Sequence, residues 1–417
     1  MPERDMNTSD SIESHKLENG LTVLIQHMPA VQSAAYCLLI PAGSIYDRPG
    51  KNGTASVTCD MLTRGAGNMD SRQLAIAQDS LGLQSGESVQ SKHIKFSGAT
   101  LKDNLPTSLE ILADIARRPH FSEEQFAPAM SSVKHSLLSI EDEPRQKVMI
   151  ELKRRCEGLP WGKPTDGSLE DLPNITLDDV KQHFASCFRP EETILGIAGN
   201  VDSARTIETI SRLFGDWQPG TEPAIEKSAA GPDRDHIELE STQTQIGLAY
   251  PSVSINDLEY YTAWAAVSVL SGGSSSRLFT EVREKRGLCY AVYATLGSLR
   301  DSGHVLCYAG TTVDRAQETL DVMLQVIQDL STNITDEELN RCKAGAKSAL
   351  IMQQESSSGR ASRIARDWFL RDRVVTLDEI HERLEAITPQ KISDYLNNHP
   401  ATNLTLLTIG PTPLEIK

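Results

Sequence analysis

In the stretch Gly53-Thr-Ala-Ser-Val-Thr-Cys-Asp-Met-Leu62, Ser56, Cys59 and Asp60 sit three and four residues apart. On a helix those offsets share one face. A hydroxyl, a thiol and a carboxylate so placed could form a nucleophilic site or part of a metal site, and each option lacks a component. A cysteine nucleophile needs a positioned base, normally a histidine, and the stretch holds none. Serine is a poor zinc ligand, and one carboxylate cannot hold the metal alone. A small buried thiol on a packed helix is the plainer reading of Cys59. Other chemical signatures are missing as well. Gly50-Lys51-Asn52-Gly53-Thr54 lacks the spacing of a phosphate loop, Gly272–Ser276 has no G-x-S-x-G pattern, and the ten histidines form no close pair.

The elements that would position such residues are written twice. SLEILADIARRPHFSEEQFAPAMSSVKHSLL and TLDVMLQVIQDLSTNITDEELNRCKAGAKSALI each begin with an amphipathic helix, apolar at Leu109, Leu112 and Ala116 and again at Leu320, Met323 and Ile327. Each breaks at a polar turn and restarts on a capping-box pattern, Ser122 to Gln125 and Thr335 to Glu338. At the same offset Phe126 matches Leu339 and Lys134 matches Lys347. Downstream, Ile175-Thr176 matches Ile387-Thr388, and each is followed by a short helix and an apolar strand, Thr193–Gly199 and Leu404–Gly410. Two matches in one order imply two copies of one domain. Further strands are expected at Thr22–His27, Ala34–Pro41, Gln245–Tyr250, Ala291–Leu296 and His304–Gly310. The segregation of strands and helices predicts an α+β fold: two homologous domains, each a largely antiparallel sheet with helices packed on one face. The expected boundaries are 1–217, a Pro- and Gly-rich linker over 218–234, and 235–417.

Composition narrows the function classes. The net charge is −16, with 57 acidic against 41 basic residues, which argues against a nucleic-acid partner or an anionic membrane surface. Seven cysteines without a C-x-x-C pair read as reduced and mostly buried. The first 20 residues lack the apolar core of a signal peptide and are too acidic for a transit peptide. No apolar run approaches a membrane span. A cytoplasmic location is the expectation.

The string AGSIYDRPGKNGTASVTCDMLTRGAGNMDSRQL resembles the signature region of the insulinase/pitrilysin family of zinc metallopeptidases, in the branch of the mitochondrial processing peptidases. The frame Gly43-Ser44, Asp47, Gly53, Ala55, Met61 and Gly65 matches. In that family two histidines four residues apart bind zinc, and the glutamate of H-x-x-E-H is the general base. Here those positions hold Ser56, Cys59 and Asp60, and the family's spacing places the third ligand at Ser136, shortly before Asp142-Glu143-Pro144. His135 is the histidine nearest that position in sequence. The resemblance therefore implies no catalytic metal in this chain. The second half keeps a family segment, Gly272-Gly-Ser-Ser-Ser-Arg-Leu-Phe-Thr-Glu-Val-Arg-Glu-Lys-Arg-Gly-Leu-Cys-Tyr290. It lacks the long glycine run of the noncatalytic processing subunit. In active relatives an Arg and a Tyr seven residues later reach the substrate, and they map to Arg283 and Tyr290.

A helix from about Ser275 to Arg286, closed by Gly287 in a left-handed cap, would bring Arg283 and Tyr290 to one edge. A guanidinium offers a planar fork of donors to a carbonyl or carboxylate, and a phenol can donate to a developing oxyanion. The resemblance thus implies the non-zinc-binding subunit of a heterodimeric metallopeptidase. Arg283 and Tyr290 would act in substrate binding and catalysis on a peptide. A homologous H-x-x-E-H partner would hold the zinc, and neither nucleic acid nor membrane would be involved. The alternative is a non-catalytic scaffold resembling respiratory-complex core proteins.

Overall fold

The computed structural model describes residues 12–416. The N-terminal half opens with β1 (Ile12–Lys16), β2 (Thr22–His27), β3 (Ser33–Ile40) and α1 (Thr54–Leu62). A small hairpin, β4 (Gly65–Ala66) and β5 (Met69–Asp70), leads to α2 (Ser71–Ser80), β6 (Gln84–Val89) and β7 (Ile94–Leu101). Then come α3 (Leu105–Arg117), α4 (Glu123–Glu141), α5 (Pro144–Glu157), α6 (Leu177–Cys187), β8 (Ile194–Gly199) and α7 (Ser203–Phe214). The C-terminal half runs β9 (Arg234–Glu238), β10 (Gln243–Ser252), α8 (Tyr260–Ser271), β11 (Cys289–Ser298) and β12 (Gly303–Thr312). It ends with α9 (Ala316–Gln328), α10 (Asp336–Gln354), α11 (Ser357–Arg371), α12 (Leu377–Glu385), α13 (Pro389–Asn398) and β13 (Thr405–Gly410).

The duplication is visible in the sheets. One has the order β1-β2-β8-β3-β7-β6 and the other β11-β12-β10-β13-β9. When β2, β3, β6, β7 and β8 are matched in chain order to β9 through β13, the two spatial orders coincide. In each sheet one pair is parallel, β2 with β8 and β13 with β9, and the other pairings are antiparallel. The apolar helical positions read from the sequence point inward: Leu109, Leu112, Ala116, Leu320, Met323 and Ile327 are all buried. Thr176 and Thr388 both cap the helix that follows, accepting from the amides of Asp179 and Lys391. The Thr335 capping box forms, with Glu338 returning its carboxylate to the Thr335 amide. The Ser122 box does not. Gln125 donates its amide N–H to the Ser122 carbonyl, while its side chain accepts from Arg64 instead.

Every residue of β8 and of β13 is buried, so both faces of each sheet centre are covered. On one face lie helices near in sequence, with α8, α9 and α13 contributing Leu270, Leu320, Met323 and Ile392 to one core. The opposite face receives a single helix from the other half of the chain. Ala361, Ile364 and Ala365 of α11 pack on Leu24, Ala35, Leu39 and Ile194. Val148 and Leu152 of α5 pack on Ala249, Tyr308, Leu407 and Ile409. Gly196 permits the first approach, since a Cβ there would lie 2.5 Å from the Ala361 carbonyl oxygen. Two compact units result. One holds the described residues through Ser139, with Lys163–Lys227 and Met352–Val374. The other holds Ile140–Gly162, Ser228–Ile351 and the chain from Val375. Among the described residues no helix is long and apolar enough to cross a membrane.

Candidate functional site

The segment carrying Ser56, Cys59 and Asp60 is helical, as its spacing predicts, and it is anchored from below. Asp47 accepts the Gly53 and Ala55 amides at the start of α1, one on each carboxylate oxygen and both at 2.8 Å. Lys163 donates to the Asp47 carbonyl at 2.6 Å. Burial pushes the Asp47 carboxyl up to about 7, against the two amides and the Lys163 charge, which favour its ionised form. These bonds satisfy amides at the start of α1 that have no partner within the helix.

The face it presents has been closed off. Ser56 donates to the Thr165 carbonyl at 3.0 Å. Cys59 is 5% exposed. Its burial, followed by the charges of Glu87 and Asp60, holds the thiol far above its ordinary pKa, the reverse of what a nucleophile requires. Asp60 is ion-paired to Arg64 one turn later, and Arg64 reaches Gln125 on α4 at 3.4 Å. Glu87, on the exposed strand β6, has a carboxyl raised by the surrounding protein and then by Asp60. Ser136 lies exposed on α4 and donates to Ser132 in its own helix. His135 is exposed beside it, and among the described residues no hydrogen bond joins it to Cys59. Hydroxyl, buried thiol and an already paired carboxylate do not fit a catalytic zinc. Among the described residues no group of three or more His, Cys, Asp or Glu is gathered as a metal site.

Arg283 and Tyr290 are brought together. The helix expected over Ser275–Arg286 is shorter and partly of another kind. After Arg277 and Leu278 the backbone runs as a π-helix over Phe279–Glu284, with the Lys285 amide donating to the Thr280 carbonyl at 2.9 Å. Gly287 takes the left-handed cap, φ +60°. The chain then enters β11 through a bulge. Cys289 pairs with Thr311 and Ala291 with Gly310, which leaves Tyr290 as the extra residue. β11 is the edge of its sheet, and Tyr290 is 84% exposed. A bulge re-aims a side chain, and π-turns recur at functional sites.

The guanidinium of Arg283 lies over two rings, 4.8 Å from the Phe279 centroid and 5.1 Å from that of Tyr290. Stacking of this kind contributes about 0.5–1 kcal/mol where exposed and restricts the orientation of the fork. Among the described residues Arg283 has no acid or carbonyl partner. Its neighbours differ: Lys285 and Arg286 are both paired with Glu281, at 2.6 and 2.7 Å. Arg283 is therefore set apart from the solvated charges around it. Phe279, its second ring partner, was not singled out in the sequence, although it stands four residues before Arg283.

Comparison with known proteins bears on the family and the fold. Residues 22–156 match the family model described as insulinase, peptidase family M16, and residues 174–346 match the peptidase M16 inactive domain. An uncharacterized zinc protease of Rickettsia bellii is 28% identical over 96% of this chain and 98% of its own length. One from Bacillus subtilis is 25% identical over 96% and 98%. Among solved structures, the peptidase M16 inactive domain from Pseudomonas fluorescens superposes with a TM-score of 0.83 at 22% identity, covering 97% of this chain and 99% of that one. A chain of complex III2 from Candida albicans gives 0.81 at 19% identity, covering 96% of each.

Proposed function

This chain belongs to the M16 peptidase family, and we propose that it is the metal-free subunit of a two-chain peptidase of the cytoplasm. Its partner is a homologue with an intact H-x-x-E-H motif, which contributes zinc and an activated water. This chain contributes Arg283 and Tyr290. The Arg283 fork, turned edge-on by its two rings, binds a carbonyl or carboxylate of the peptide and fixes its register. The Tyr290 phenol donates to the oxygen that gains charge as the scissile carbonyl is attacked. The exposed edges β6 and β11 carry unpaired backbone groups suited to an extended peptide.

The observation that carries this reading is a ring-bracketed guanidinium, without an acid or carbonyl partner among the described residues, beside an exposed phenol in a chain whose residues at the family's metal positions are Ser56, Cys59, Asp60 and Ser136. The test is reconstitution. The purified chain should bind no stoichiometric zinc and cleave no peptide, and addition of the H-x-x-E-H homologue should restore chelator-sensitive cleavage. Cleavage by the isolated chain would falsify the division of labour. The likeness to a complex III2 chain supports a second reading, a scaffold subunit. That reading expects cleavage in any assembly to be indifferent to Arg283 and Tyr290.

A further inference from the structure

A cavity of about 210 Å³ in the N-terminal unit is lined in part by Arg48, Lys51, Gln182, His183 and Ser186. It is separate from the face of α1 described above and plays no part in the proposed peptidase. Lys51 is neutralised by Asp179 at 2.8 Å, and Tyr46 donates its hydroxyl to Glu222. Arg48 is different. It is exposed, and among the described residues its side chain has neither a hydrogen bond nor an ion pair. Its charge nevertheless acts on His183 and Cys187, both of which line the cavity. The side chains of Gln182 and Ser186 are likewise unengaged among the described residues. The lining itself holds Arg48 and Lys51 against Asp179, with the Asp47 and Glu222 carboxylates also acting on Cys187. Its one cation unpaired among the described residues and its several donors are complementary to a small oxyanion.

His183 sharpens the chemistry. It is 6% exposed, and its Nε2 bonds the Ala42 carbonyl oxygen at 2.9 Å. A carbonyl only accepts, so Nε2 carries the proton and Nδ1 presents a lone pair. The nearest polar atom recorded for Nδ1 is Asp47 Oδ1, 4.0 Å away and already accepting from Ala55. Burial, with Arg48 adding to it, holds the imidazole down at about 4, so it remains neutral at pH 7. Nδ1 is therefore an acceptor with no protein donor among the described residues, and His183 lines the cavity. The fitting ligand accepts from Arg48, Gln182 and Ser186 and donates to Nδ1.

We propose that this cavity binds inorganic phosphate, an oxyanion that keeps a proton at neutral pH. Sulfate has no such proton, and a phosphate monoester has largely lost its own. A metal is the competing occupant, because Asp179, His183 and Cys187 recur every fourth residue along α6. However, Asp179 is held by Lys51 and Thr176, and burial pushes the Cys187 thiol up to about 12.

The test is calorimetric titration of the full chain at pH 7 and constant ionic strength with sodium phosphate, sodium sulfate, phosphoserine and zinc chloride. Saturable one-to-one phosphate binding is expected, with sulfate and phosphoserine at least tenfold weaker. Arg48→Ala should weaken phosphate binding at least tenfold and Ser186→Ala about threefold, with unchanged circular dichroism, while Arg48→Lys should restore part of the loss. Equal binding of sulfate, indifference to Arg48→Ala, zinc binding in place of phosphate, or no saturable heat would each overturn the assignment.

Discussion

On α1, Ser56, Cys59 and Asp60 have each found a partner inside their own unit: a carbonyl, the core and an arginine. At the turn into β11, Arg283 and Tyr290 have, among the described residues, each other and a phenylalanine as recorded partners. Both places descend from one duplicated plan, and both keep the backbone that displays their side chains, through Asp47 and Gly53 in one and through the π-turn, Gly287 and the bulge in the other. They differ in unsatisfied capacity. A polar group satisfied within its own unit gains little from a ligand, whereas one left open still does. Open donors are therefore a better place to test for function than a surviving frame.

The strongest challenge to that contrast is kinetic. In the reconstituted assembly, Arg283→Ala should lower kcat by roughly 10²-fold, as loss of a group acting on developing charge does, with KM changed less. Tyr290→Phe should cost about tenfold, a phenol donor lost without its ring. Phe279→Leu should cost a few-fold, because it frees the fork without deleting it. Co-elution on gel filtration checks that assembly persists. If Ser56→Ala or Asp60→Asn reduced turnover as much as Arg283→Ala, the closed face would be working too and the contrast would fail.

A second prediction separates charges that build the C-terminal site from charges that use it. Arg277 donates to Glu338 at 2.8 and 3.0 Å and to the carbonyls of Thr332 and Asn333, both at 3.0 Å. Burial pushes the Glu338 carboxyl up, yet Arg277 and Thr335 outweigh it and hold it down at about 2. This stabilisation is present above the unfolded value of 4.5 and is lost as pH falls toward 2. Arg277→Ala leaves a half-buried carboxylate with Thr335 but no counter-charge, and takes the donor from two carbonyls, and should cost about 3 kcal/mol in urea unfolding. Arg283→Ala should cost less than about 1 kcal/mol in the same assay. Equal losses would reduce Arg283 to a structural charge.

How much of this contrast was legible beforehand depends on the range of the interactions. The strands at Thr22–His27 and Gln245–Tyr250, the buried helical stripes and the Thr176, Thr335 and Thr388 caps follow from local spacing, and the structure agrees. Arg283 and Tyr290 were picked out by the family resemblance, and the helix, glycine and strand of one short segment explain why they meet. Interactions between distant segments were not legible. Nothing near Ser122 announces that Gln125 will turn to Arg64 rather than complete its box. The passage of α5 and α11 onto the far faces of the sheets rests on Gly196 and Gly247, which read in sequence as ordinary strand glycines. Strand β6, Gln-Ser-Gly-Glu-Ser-Val, carries no apolar alternation because it is an exposed edge.

The N-terminal unit should also betray its buried histidines in acid. Burial, with Lys92 and Arg189 adding to it, holds His93 down at about 3, and His183 stands at about 4. Both lie below the unfolded value of 6.5, so their contribution is complete above pH 6.5 and is lost as pH falls toward 4 and then 3. Asp47 works in the opposite sense. Its folded value of about 7 exceeds the unfolded 3.8, so its contribution is complete below pH 3.8 and fades as pH rises to 7. Two histidines outweigh one carboxyl, and stability should decline on acidification from pH 6.5. His93→Gln removes one of those protonations and should move the acid midpoint, followed by circular dichroism, to lower pH. An unchanged midpoint would mean that His93 gains its proton without unfolding.

The smallest effect is expected where the metal chemistry of relatives would stand. Asp60 and Arg64 keep 22% and 24% of their side-chain surface exposed, and a pair of that kind contributes about 0.5 kcal/mol. Asp60→Asn keeps the shape and removes the charge. It should alter urea unfolding by no more than that amount and leave turnover of the assembly within twofold, because the Arg64 guanidinium retains Gln125 and water as acceptors. Glu87 provides the finer readout. The Asp60 charge helps to raise its carboxyl, so Asp60→Asn should lower the Glu87 pKa, which carboxyl-resolved NMR titration can follow. A lowered Glu87 pKa with unchanged turnover would show that α1 retains an acidic surface without catalytic use. A lowered pKa accompanied by lost cleavage would mean that substrate reads this surface as well.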